Sequence, residues 1–79
     1  MKSEVRIGVI GCGQIAQQHF KTYQDIPEAK IVACADVCED RAQKSATEYG
    51  IENVYTSAKA LLERDDLDAV DVCLHNNYH

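Results

Sequence analysis

The sequence has no basic stripe. Its 8 Lys and Arg residues are scattered and outnumbered by 13 Asp and Glu, for a net charge of -5. The charge–charge attraction that dominates nucleic-acid binding is therefore missing, and an anionic membrane surface is set aside on the same ground. Long apolar runs are lacking too. No stretch reaches the roughly 18 apolar residues that a membrane span needs. The first residues, Met1-Lys2-Ser3-Glu4, are not followed by a secretory hydrophobic region and cleavage site, so cytoplasmic residence is the expectation. The four cysteines, Cys12, Cys34, Cys38 and Cys73, form no C-x-x-C pair. Cys34 and Cys38 make a weak C-x-x-x-C pattern. Cys34 and Cys73 read better as small thiols buried in apolar strands. Internal repeats, low-complexity tracts and obvious linkers are absent.

What is present suits one small domain. The 79 residues are 46% hydrophobic and 27% charged, enough apolar surface for a core and too little chain for two domains. Val5 to Ile10 (VRIGVI) reads as a strand buried on both faces. Gln14 to Gln24 follows as a helix, with Ile15, Ala16, His19, Phe20 and Tyr23 along one face. Pro27, the single proline, closes that segment. Lys30 to Asp36 is a second buried strand. Glu39 to Tyr49 is a second helix, with an acidic first turn, Ala42, Ala46 and Tyr49 inward, and Gly50 at its stop. Asn53 to Tyr55 is a short third strand. Ser57 caps a third helix whose Ala58, Leu61 and Leu62 turn inward. Asp65, Asp66 and Asp68 form a solvated acidic loop. Ala69 to Leu74 is the fourth strand. The alternation βαβαβαβ implies an α/β fold, a Rossmann-like parallel sheet with helices on both faces.

The turn after the first strand carries the chemistry. Gly11-Cys12-Gly13-Gln14-Ile15-Ala16 reads G-x-G-x-x-A between a strand and a helix. In such a turn Gly11 permits the exit from the strand. Gly13 leaves room for a pyrophosphate, and Ala16 lets the helix approach the strand. The helix N-terminus then faces the phosphates. Asp36, at the end of the second strand, supplies the acidic residue expected roughly 20 residues on. Its carboxylate would accept from a ribose diol and repel a 2′-phosphate, favouring NAD over NADP. His19 reads as a packed, hydrogen-bonded side chain. His75, Asn76, Asn77 and His79 follow the fourth strand, at the crevice where ligands of open parallel sheets bind. Asn76 is the stronger candidate there for a ribose or carboxamide contact.

Three stretches together resemble the N-terminal part of the Gfo/Idh/MocA oxidoreductase family. They are VRIGVIGCGQIAQQHF, with its G-x-G-x-x-A-x-x-H pattern, KIVACADVCEDRAQKSATEYGI, and YTSAKALLERDDLDAVDVCLHNNYH. The resemblance implies a two-domain NAD(P)-dependent oxidoreductase acting on a hydroxyl-bearing carbon of a sugar or cyclitol. Its Rossmann domain would span residues 1–79, with a substrate domain outside this sequence. It implies pyrophosphate contacts at Gly11, Gly13 and Ala16, and backbone contacts at Gln14 and Ile15. Asp36 becomes the ribose-binding acid. Leu74 and Asn76 match the family's "PNxxH"-like loop, with His75 where proline is common. The family's E-K-P lysine has no counterpart here, so no catalytic residue is expected in this stretch, which is read as an inactive fragment of a longer enzyme. The resemblance also implies strand order 3-2-1-4, which leaves the fourth strand's edge bare and open to self-association. Two other readings use the same turn and acid: a non-catalytic nucleotide-sensing module and an S-adenosylmethionine-binding domain.

Overall fold

The computed structural model describes residues 4–73, and of Gln14 and Ile15 it describes the backbone only. Seven elements follow in order: β1 (Val5–Ile10), α1 (Gln14–Gln24), β2 (Ala29–Ala35), α2 (Glu39–Tyr49), β3 (Asn53–Tyr55), α3 (Ala58–Leu62) and β4 (Ala69–Val72). All strand pairings are parallel, in the order β3-β2-β1-β4. This is the Rossmann-like order expected. No helix among the described residues is long and apolar enough to cross a membrane.

Alternation along the strands divides the core between the two faces of the sheet. Ile7, Val9 and Cys34 pack with Ala16, Phe20, Ala42 and Ala46 under α1 and α2. Ile10, Ala33 and Ala35 pack with Leu61 of α3 on the other face. The β1–β2 register slips between Ile7 and Gly8, where Ile7 pairs with Ile31 but Gly8 with Ala33. The extra residue places Val32 and Ala33 on one face, so Ile31 and Cys34 both serve the other. Phe20, fully buried, stacks on Tyr49 with ring centroids 4.9 Å apart, tying α1 to α2. Burying such a ring is worth about 2–3 kcal/mol.

Three details differ from the sequence reading. In α3 only Leu61 is buried, whereas Leu62 is 54% exposed and Ala58 is exposed. The helix is 5 residues long, too short to turn a second large side chain inward. Leu61 lies over Gly8, where a Cβ would come within 2.8 Å of its Cδ2. The acidic loop is not merely solvated: Asp66 pairs with Arg64, which also reaches the Tyr55 hydroxyl at 3.1 Å, and Asp68 accepts from the Arg6 amide at 2.8 Å. β4 ends at Val72, so Cys73 lies just past the strand, still buried. All four cysteines are free.

Candidate functional site

The carboxyl ends of β1 and β2 open into a cleft of about 360 Å³ whose lining includes Gly11, Gly13, Asp36, Val37, Arg41 and Cys73. The two glycines there answer to different demands. Gly11 has φ 96°, and a Cβ on it would stand 2.5 Å from the Cys73 carbonyl oxygen. Backbone conformation and the close passage of the chain beyond β4 both require glycine at this position. Gly13 has φ -80°, open to any residue, and a Cβ there would meet nothing within 4 Å among the described residues. The described residues give no reason for glycine at 13. The space beside it belongs to the cleft.

Gly13 is also the N-cap of α1. It has no side chain to accept from the first-turn amides, and no acidic residue stands in that turn. Ala16, fully buried one turn on, lets α1 lie close to the sheet.

Asp36 joins the acid to the turn. Its side chain is buried, and both oxygens are engaged. Oδ2 accepts from the Cys12 amide at 2.8 Å and from Arg41 Nε at 3.2 Å. Oδ1 accepts from the Cys38 amide at 2.8 Å and from Arg41 Nη2 at 3.1 Å. Burial alone would push the carboxyl up. The amides of Cys38 and Cys12 and the Arg41 guanidinium outweigh it and hold the group below its ordinary value. The reciprocal contact raises the Arg41 guanidinium. Gln17 braces the turn from the other side, with Nε2 donating to the Cys12 carbonyl at 3.1 Å and to Ser45 Oγ at 3.0 Å.

The structure therefore brings Gly11, Gly13 and Asp36 together around one cleft, with the backbone of Gln14 and Ile15 in the first turn of α1 and Ala16 in the core rather than at the cleft. Leu74 and Asn76, with His75, Asn77 and His79, lie outside the described residues. Sequence reasoning missed Arg41, Gln17 and Val37. Val37 is 88% exposed directly after the acid, beside the cleft, and an apolar residue in that position was a readable signal. Arg41 was legible only as the one cation in an otherwise acidic first turn of α2.

His19 is half-exposed rather than packed inside, and it is hydrogen-bonded as expected. Its Nδ1 lies 2.5 Å from Asp71 Oδ2, which also accepts from the Tyr23 hydroxyl at 2.7 Å. Burial, with the carboxylate beside it, pushes the Tyr23 hydroxyl up to about 12.

Comparison with known proteins decides the family. The family described as "Oxidoreductase family, NAD-binding Rossmann fold", Gfo/Idh/MocA, matches residues 5–79. The chain belongs to this family. It is 39% identical over 75 residues to a myo-inositol 2-dehydrogenase of Thermotoga maritima, covering 95% of this chain and 22% of the relative. A 3-ketoreductase from Actinomadura kijaniata, in complex with TDP-benzene and NADP, superposes with a TM-score of 0.81 at 40% identity. The match covers 91% of this chain and 23% of that one. An oxidoreductase from Agrobacterium radiobacter, in complex with NAD+, L-tartaric acid and magnesium, gives 0.87 at 30% identity, covering 92% and 21%. The chain thus spans a little over a fifth of the length of these relatives.

Proposed function

We propose that this chain holds the ADP half of a nicotinamide dinucleotide, NAD in preference to NADP, as the cofactor-binding part of an oxidoreductase. The reaction would move a hydride between the nicotinamide and a hydroxyl-bearing carbon of a sugar or cyclitol. Gly13 carries the reading. A glycine with ordinary φ, no packing neighbour among the described residues and a place at an uncapped helix start leaves room for a group that is not protein. A pyrophosphate suits that room, because the first-turn amides and the helix dipole favour an anion.

The roles follow from position. Gly11 and Gly13 shape the turn, Gln14 and Ile15 present backbone to the phosphates, and Ala16 keeps α1 close. Asp36 accepts from the adenosine ribose hydroxyls. Val37 and Ala58 offer apolar wall to the adenine. Leu74 and Asn76 are proposed on the sequence alone. The myo-inositol 2-dehydrogenase relative supports a cyclitol or sugar substrate, and the NAD+ complex of the Agrobacterium oxidoreductase supports the cofactor. When bound, the dinucleotide supplies the hydride chemistry, and the residues here bind and orient it.

Calorimetric titration with NADH and, separately, NADPH tests the reading. Tighter binding of NADH, lost in a folded Gly13→Asp variant, is the expected result. Unchanged binding in that variant would remove it. Self-association is proposed as well, because β4 is the edge strand among the described residues and its Val72 is 56% exposed. A monodisperse monomer in sedimentation at high concentration would exclude it. The acidic balance supports the expectation of no nucleic-acid or anionic-membrane partner, and cytoplasmic residence is proposed on the sequence reading alone.

A further inference from the structure

We infer that Arg41 is a displaceable occupant of the ribose site and sets how strongly the chain discriminates between NAD and NADP. The inference rests on the dinucleotide reading above and extends it to a residue that reading does not use.

An ionised carboxylate has about four acceptor positions. Asp36 has all of them filled by this chain: two by the amides of Cys12 and Cys38, two by Nε and Nη2 of Arg41. A ribose diol arriving at Asp36 finds no vacant lone pair. One pair of donors must leave. The Cys12 amide belongs to the glycine turn, and the Cys38 amide stands at the start of α2. Neither can move without undoing local structure. Arg41 can. Its side chain is 55% exposed while that of Asp36 is 5% exposed, so the guanidinium covers the carboxylate from the solvent side. Arg41 and Asp36 line the same cleft, with Val37 and Gly13.

Two consequences have opposite signs. For NAD, the bidentate contact between Arg41 and Asp36 is a competitor that binding must break. For NADP, the released guanidinium meets a 2′-phosphate and offsets its repulsion by Asp36, since a planar fork of N–H donors matches phosphate oxygens. Arg41 therefore narrows a preference that Asp36 alone would make wide.

The test is calorimetric titration of the full chain with NADH and NADPH, for the parent protein, Arg41→Met and Arg41→Lys, with urea unfolding to confirm that each variant is folded. Arg41→Met should bind NADH at least as tightly as the parent and NADPH more weakly. The ratio of the two dissociation constants should widen about tenfold. Arg41→Lys should fall between, because an ammonium meets a phosphate as a point charge and cannot hold Asp36 by two contacts. An unchanged or narrowed ratio in folded Arg41→Met overturns the inference and leaves the dinucleotide reading standing. Failure of the parent chain to bind either dinucleotide removes both. An unchanged NADH affinity in Asp36→Ala would overturn the ribose role of Asp36 and, with it, any competition by Arg41.

Discussion

Helices α1 and α3 begin alike in backbone and differently in chemistry. Gly13 and Ser57, their N-caps, are both extended, at φ -80°, ψ -162° and φ -140°, ψ 146°. Ser57 Oγ accepts from the Ala60 amide at 3.1 Å, an internal solution to an unpaired helix end. α2 meets the same need with Glu39 and Asp40 in its first turn. α1 has neither a capping side chain nor an acid, and it starts at the cleft. A helix end that meets no anion is closed by the protein. The one left open borders the space that a ligand would fill.

The two glycines of the turn sharpen this contrast most. Gly11→Ala places a Cβ against the Cys73 carbonyl in a conformation that L-residues avoid, and should cost about 3 kcal/mol of stability. The urea midpoint would report it. A midpoint within error of the parent would mean that the chain beyond β4 yields easily and that the approach to the turn is loose.

Asp36 comes next. Its pKa is lowered in the folded state, so its contribution is complete above the ordinary value of 3.8. That contribution is lost as the pH falls through the lowered folded value. Asp36→Asn should cost about 2 kcal/mol at pH 7, the scale of hydrogen bonds to a charged partner. It should also flatten the fall in unfolding free energy between pH 5 and acid conditions. Asp71 is lowered too, by Tyr23 and His19 against its burial, so the variant keeps part of the acid sensitivity. A variant curve parallel to the parent's would show that Asp36 does not anchor the turn.

Gly13→Asp converts the start of α1 into a capped end like that of α3. With φ negative and open space at the Cβ, the folded state accepts the side chain, and stability should hold or rise by a few tenths of a kcal/mol. The carboxylate takes the place of the anion, so affinity for NADH should fall at least tenfold, or about 1.4 kcal/mol. Retained affinity would separate the glycine from the ligand.

These contrasts also mark how far the sequence could be read. Element order, helix spans and the turn were legible, because period-2 and period-3.6 patterns, Pro27 and Gly50 punctuate the chain clearly, whereas strand order came only with the family resemblance. Asp36 was legible by its spacing from the turn. Its partners were not. Arg41, Gln17 and the Cys12 amide act through contacts 5 to 28 residues apart, which no local pattern encodes. Leu62 misled for the opposite reason. Its apolar character fits a helix face, but a five-residue helix has room for one inward leucine.

Ser57→Ala closes the comparison from the helix end that the protein caps itself. Removing the hydroxyl leaves the Ala60 amide without its side-chain partner, and the loss should be about 1 kcal/mol. Urea unfolding should show that loss, while NADH titration should show a much smaller change than Gly13→Asp produces, since only the Ala58 wall is affected. The start of α3 gives the cleft only the apolar wall of Ala58, and the helix stays anchored through Leu61 on Gly8, so fraying its first residue leaves Gly13 and Asp36 in place. If NADH affinity fell as far as in Gly13→Asp, the two helix ends would be coupled through the sheet. The division between an end closed for the fold and an end open for a ligand would then fail.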